Sequence, residues 1–284
     1  MSFILNLLQS LLYGFVMGIT SWLPISPAAH MTLMKSFLPL QIYNDYLSNL
    51  AFWNLFRSLI QIGGMLAVML LFWGRLNPWQ KGIRAKRKRK IIRLWLMILI
   101  SVIPALILEI LLDDLILTKL STGWALAAAL ILFGGFMFWS QVKENKVRVE
   151  TVNQVRATDA VRLSLFRFLS LLPGIGHTDS TMVTAELLGF NRETAAEYAY
   201  MLTIPTVLGS VILRAVSFVN AQVPFSLEGL AAVLAGMAVC FVTSLFVIRY
   251  MLNYVRRHDL KIFSLYRVVL GILVVIFTLF KVIS

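Results

Sequence analysis

A 284-residue chain that is 59% hydrophobic and only 14% charged, with a mean hydropathy of +0.83, is too apolar for a soluble domain. Soluble domains hold about 45–50% apolar and about 25% charged residues, so the composition reads as an integral membrane protein. The net charge of +13 does not point to nucleic acid, because the basic residues sit in short segments between apolar runs, where they set membrane orientation.

In chain order, the first apolar region, about 3–37, lacks a basic leader segment and runs on into Pro24, so it does not read as a cleavable signal. It breaks at Gly18-Ile19-Thr20-Ser21-Trp22-Leu23-Pro24-Ile25-Ser26-Pro27-Ala28-Ala29-His30. Stretches long enough to cross a core of about 30 Å, which takes roughly 20 residues, follow near 50–73, 91–112 and 121–141. A second interrupted region, about 160–190, breaks at Leu171-Leu172-Pro173-Gly174-Ile175-Gly176-His177-Thr178-Asp179-Ser180-Thr181. Three more spans are expected near 193–217, 226–249 and 262–283. The single cysteine, Cys240, excludes an intrachain disulfide and reads as a buried, inert thiol.

Lys and Arg set the orientation. The basic segment 74–93 carries Lys81, Arg84, Lys86, Arg87, Lys88, Arg89 and Lys90, a density that reads as a cytoplasmic loop drawn to anionic headgroups. Counting onward, Asp113 and Asp114 fall outside, while Lys143, Lys146, Arg148, Arg156, Arg249, Arg256, Arg257 and Lys261 fall inside. The fold class that follows is an all-α polytopic membrane protein, one domain over 1–284, with six transmembrane helices and two re-entrant broken-helix hairpins. The hairpin at 3–37 would enter from the outer face and that at 160–190 from the cytoplasm, giving inverted-repeat halves of roughly 1–112 and 121–284. A single kinked span at 3–37 with accidental symmetry is the alternative.

Backbone that leaves the helix inside a bilayer must be buried in protein or line a polar cavity, so the two breaks are the candidate site. The first offers Ser21, Ser26 and His30 beside Pro24 and Pro27. His30 is either a site residue or a histidine that only satisfies its own hydrogen bonds. In the second, Gly174 and Gly176 let backbone N–H groups approach an anion, and His177, Thr178, Asp179, Ser180 and Thr181 follow at a helix start. Simple N-capping by Thr178 or Asp179 is the competing reading. Arg57, about two turns into its span with Gln61 one turn on, presents a fork suited to phosphate, or snorkels to the interface. Glu109 and Arg214 lie near span ends and read as interfacial. No metal motif has standard spacing, although His30, His177 and Asp179 could meet around a cation.

These residues resemble the undecaprenyl-diphosphate phosphatase family, of the bacitracin-resistance type. Gly18-Ile19-Thr20, Leu23-Pro24-Ile25-Ser26 and His30 are similar to its first motif. Ile60-Gln61-Ile62-Gly63 is similar to its first full span, and Leu172-Pro173-Gly174 through Thr181 with Leu187-Leu188-Gly189-Phe190 to its second motif. Glu197, Pro205, Tyr266-Arg267 and Gly271 fit as well. The resemblance implies inverted repeats with two re-entrant hairpins, a bacterial plasma-membrane location, a divalent cation (Mg or Ca), and release of phosphate from a polyprenyl diphosphate in cell-wall lipid-carrier recycling. Taken with the residues read above, the catalytic candidates are His30, His177, Ser26 and Thr178, and the substrate-binding candidates are Arg57, Gln61, Gly174, Gly176, Ser180 and Thr181. Asp179 is the metal-ligand candidate. Where the family carries two glutamates the chain has Met17 and Ser21, a common acidic position is Arg57, and the motif's Ser-Arg-Ser is Gly176-His177-Thr178. A catalytically inactive paralogue that binds or translocates a polyprenyl phosphate is the alternative function. The expected partners are the polyprenyl (di)phosphate and anionic membrane lipids, with a homodimer open beside a monomer and nucleic acid excluded.

Overall fold

A computed structural model of the chain describes all residues except 1, 113, 114, 116–119, 121, 144, 145, 225 and 284. Its regular structure among the described residues is helical, apart from an isolated bridge between Val149 and Phe190. Among the described residues, seven helices are long and apolar enough to cross a membrane. Six answer to the expected spans: α3 (Tyr46–Leu71), α4 (Ala85–Leu111), α5 (Gly123–Val142), α8 (Arg192–Asn220), α9 (Leu227–Val255) and α10 (Lys261–Leu279). The seventh, α1 (Ser2–Thr20), comes from the first interrupted region, whose unbroken part is itself long enough to qualify. The chain is therefore a multi-pass, all-α membrane protein, and large apolar side chains such as Leu132, Phe246 and Leu265 face outward as a bilayer requires.

The basic run differs from its expected loop. Lys86 to Lys90 form the first turns of α4, because Lys and Arg propagate a helix well once the apolar segment behind them has nucleated it. Asp113 and Asp114, expected on the outer face, lie outside the described residues, as does residue 121 at the expected start of the next span.

Both interrupted regions fold back on themselves. The first continues from α1 through a proline break into α2 (Pro27–Phe37). Ser26 sits at φ 71 and caps α2, its Oγ accepting from the Ala29 N–H at 3.3 Å, while Pro27 occupies the first helical position where no N–H is needed. Asn6 Nδ2 donates to the Gln41 carbonyl (2.8 Å) and Tyr13 Oη to that of Leu38 (2.8 Å), so the returning chain runs beside α1. The second region pairs α6 (Ala157–Arg167) with α7 (His177–Leu187), separated by a turn in which Gly174 adopts φ 101. Its base is pinned by Arg148, which bonds Asp159 at 2.5 and 3.2 Å and whose N–H donates to the Gly189 carbonyl at 2.8 Å. Burial opposes the Asp159 charge, but Arg148 and the Arg156 N–H outweigh it and hold this carboxyl below the usual range, so the clamp is ionised at neutral pH.

Helix α9 is the keel against which α1 and α3 cross at backbone contact. A Cβ on Gly14 would lie 2.1 Å from the Gly236 carbonyl oxygen, and one on Gly63 would lie 2.1 Å from that of Met237. Small residues at such crossings let main chains approach where lipid supplies no hydrophobic drive. Gly63→Ala is accordingly expected to destabilise the fold by about 1–3 kcal/mol through overpacking. Gly135→Ala, where nothing lies within 4 Å of the added carbon, serves as the neutral control. Thermal unfolding in detergent checks this; equal midpoints for the two variants would remove the crossing from the account.

Candidate active site where the hairpin tips meet

The tips of the two hairpins face one cavity of about 270 Å³. The first tip contributes Met17, Ser21 and Trp22, and the second contributes the turn from Ser170 to Asp179. Arg57 and Gln61 reach it from α3, Glu109 from α4, and Thr203, Thr206, Ser210 and Arg214 from α8. Tyr200 Oη donates to the Trp22 carbonyl (2.8 Å), which ties the first tip to α8.

Of the predicted binders, Arg57, Gln61, Gly174 and Gly176 line the cavity, as do His177, Thr178 and Asp179. Arg57 therefore turns inward and does not snorkel to the interface. It approaches Asn54 Oδ1 at 3.4 Å and lies over the Trp53 ring at 5.9 Å, while its Nε is buried with no hydrogen-bond partner among the described residues. Arg214 is close enough to act on Arg57 electrostatically. Glu109 and Arg214 are thus not interfacial as expected; both face the cavity, and Ser210 Oγ donates to Glu109 at 3.3 Å. The reason is length: α8 runs on to Asn220, which leaves Arg214 inside the helix.

Four expected site residues do not line the cavity. Ser26 is fully buried in its capping role. His30 has both ring nitrogens engaged, Nδ1 with the Ser26 carbonyl (2.8 Å) and Nε2 with Tyr266 Oη (2.7 Å). His30 and His177 therefore share no cavity, and an acid–base pair of the two is not available. Ser180 and Thr181 donate to the His177 carbonyl at 3.2 and 2.7 Å, fixing the start of α7. They shape the tip from behind.

Two arginines organise the second tip. Arg267, completely buried on α10, bonds Asp179 Oδ2 and the Gly174 carbonyl, each at 2.5 Å, and lies 4.8 Å from the Phe133 ring centre. Its signal in the sequence was a charged residue inside an apolar stretch, which is costly without a partner. Arg167 ends α6 and donates to Thr181 (3.0 Å) and Thr206 (2.8 Å), joining the hairpin to α8. Nothing in its local pattern distinguished it from the basic residues of a loop.

The donor set does not fit a divalent cation. No group of three or more His, Cys, Asp or Glu suited to a metal exists among the described residues. Asp179, the expected ligand, is committed to Arg267 and accepts the Gly176 N–H at 3.3 Å. Glu109 shares the cavity with two arginines, whose charge opposes a bound cation. What the lining suits is an anion: Arg57, Arg214, and the N–H groups of His177 and Thr178 at the first turn of α7, which have no hydrogen-bond partner among the described residues.

The family model described as bacitracin resistance protein BacA matches residues 10–273, which include both breaks and every cavity-lining residue. The chain belongs to the BacA family. It is 35% identical over 273 residues to undecaprenyl-diphosphatase 1 of Clostridioides difficile, covering 95% of this chain and 96% of that protein. It is equally 35% identical, over 272 residues, to undecaprenyl-diphosphatase 1 of Oenococcus oeni, with 95% and 96% covered. Against the undecaprenyl-diphosphatase of Enterococcus faecalis the identity is 34% over 279 residues, covering 96% of this chain and 98% of the relative.

Proposed function

We propose that this BacA-family protein is an undecaprenyl-diphosphate phosphatase, releasing the terminal phosphate of a polyprenyl diphosphate in the bacterial plasma membrane. The observation that carries the reading is full-length similarity to curated undecaprenyl-diphosphatases, placed on a cavity that two hairpin tips and two arginines make suitable for a diphosphate. The two hairpins enter from opposite faces as inverted repeats, the basic segments lie on the cytoplasmic side, and the substrate headgroup is taken from the outer face. Arg57, Arg214 and the first turn of α7 hold the phosphates, and Gly174 and Gly176 keep the backbone low enough for them to approach.

The test is phosphate release from undecaprenyl diphosphate by the purified chain in detergent, set against empty micelles. Turnover supports the phosphatase; saturable binding of the lipid with no phosphate release would replace it with the non-hydrolytic binder, a reading the relatives do not favour.

The basic start of α4 gives a separate expectation. Five consecutive basic residues sit at the positive end of a helix dipole with no acidic residue in the first turn, an arrangement that anionic headgroups relieve. Unfolding temperature should rise more in phosphatidylglycerol-containing bilayers than in phosphatidylcholine alone, and a Lys86→Gln, Lys88→Gln, Lys90→Gln variant should lose that difference. An unchanged difference would remove the lipid contact.

A further inference from the structure

We infer that this cavity cleaves its diphosphate without a divalent cation, Arg57 and Arg214 carrying the phosphate charge while His177 Nε2 accepts the phosphoryl group. The inference rests on the phosphatase reading above and adds how the reaction is carried out.

The first support is the charge of the lining. Arg57 and Arg214 line one cavity in an apolar bundle, and the Arg57 Nε is buried without a hydrogen-bond partner among the described residues. An anion beside Arg57 offsets the cost of its buried charge, whereas a metal ion adds to it. Both carboxylates near the cavity already have partners, Asp179 in Arg267 and Glu109 in Ser210. Neutralisation of the diphosphate therefore falls to the guanidinium groups, whose forks match its oxygens.

The second support is a hydrogen count at His177. The Ser170 hydroxyl carries one hydrogen. Its Oγ lies 2.6 Å from the Arg167 carbonyl oxygen, which can only accept, and 2.6 Å from His177 Nδ1. The hydroxyl hydrogen goes to the carbonyl, so Nδ1 must be the protonated nitrogen that donates to Ser170. In the neutral ring the lone pair is then fixed on Nε2, which has no hydrogen-bond partner among the described residues. The imidazole lines the cavity beside the anion-attracting first turn of α7. A nucleophile with its tautomer set by a neighbour, next to a cradle for the group it attacks, is the arrangement that covalent phosphoryl transfer needs.

The step balances. The Nε2 lone pair forms a bond to the terminal phosphorus, the bond from phosphorus to the bridging oxygen breaks, and the lipid monophosphate leaves with that electron pair. The proton stays on Nδ1, still donated to Ser170 Oγ. Water then attacks the phosphorus, the nitrogen–phosphorus bond breaks with its pair returning to Nε2, and dihydrogen phosphate departs with both water protons.

The experiment uses the full chain in detergent with polyprenyl diphosphate labelled in its terminal phosphate, in EDTA or in Mg and Ca, quenched in alkali. The expected result is equal release in EDTA and in the cations, with an alkali-stable, acid-labile label on the wild type. His177→Asn should lose that label and on the order of a thousandfold in release, and imidazole should restore release to His177→Gly. Ser170→Ala should lower kcat without moving KM. Release that requires the divalent cation, or release that persists in His177→Asn without a protein-bound label, would overturn the inference and leave the phosphatase standing. No release by the wild type under any condition would fail the phosphatase reading itself, and this inference with it.

Discussion

Replacing Arg267 by Ala should cost about 3–5 kcal/mol of stability and abolish phosphate release, because it strands the Asp179 carboxylate in the interior. Arg267 and Asp179 are both buried, and the same guanidinium holds the Gly174 carbonyl at the point where the chain turns back. Removing it withdraws a charge partner and a backbone anchor together. Removing both charges is a different experiment, since an ion pair replaced by apolar groups can be close to neutral. The double variant Arg267→Met, Asp179→Ala should therefore recover much of the unfolding temperature lost by Arg267→Ala, without recovering activity. Thermal unfolding of the three proteins in one detergent decides it. If Arg267→Ala unfolds at the wild-type temperature, the buried pair does not hold the tip.

The second large effect is expected at Arg57. Arg57→Gln keeps a polar side chain of similar reach but removes the charge, and charged hydrogen bonds are worth about 1.5–3 kcal/mol, so kcat/KM should fall about ten- to hundredfold. Arg57→Glu should fall further, since it places a carboxylate against the diphosphate. Arg214→Gln should weaken the reaction in the same direction, and the Arg57→Gln, Arg214→Gln pair should show coupling, because each arginine lies in the other's field. Steady-state kinetics on the four proteins gives the coupling directly. Strict additivity, or full activity in Arg57→Gln, would place the phosphates elsewhere.

The fold was largely legible because lipid simplifies the problem. Long apolar runs had to be helices, and Pro24, Pro27, Pro173 and Gly174 could only mark where helices stop. What spacing could not resolve was the length of each helix past its apolar part. The basic run 86–90 looked like loop by charge, yet helix propensity carried α4 through it. The site was legible at its tips and obscure at its walls. Gly174, His177 and Arg57 announced themselves by rarity in their surroundings. Glu109 and Arg214 lie near span ends in sequence yet face the cavity, and α8 extends well beyond Arg214. His30 differs again: its type suggests chemistry, but it lies outside the cavity lining and Tyr266, 236 residues away, meets its Nε2. A contact at that separation has no local trace. Arg167 was missed for the same reason, its partners Thr181 and Thr206 belonging to other elements.

On the proposed function, both hairpin tips close on one lipid diphosphate. Ser21 lines the cavity from the first tip and Thr178 from the second, and the native Cys240 is buried, so Ser21→Cys and Thr178→Cys each supply one reporting thiol. The decisive measurement is the rate at which each is alkylated as a non-cleavable, methylene-bridged polyprenyl diphosphonate is titrated in. Both thiols are expected to be protected over the same concentration range. If either thiol remains fully reactive when the analogue is saturating, the diphosphate does not sit between the tips.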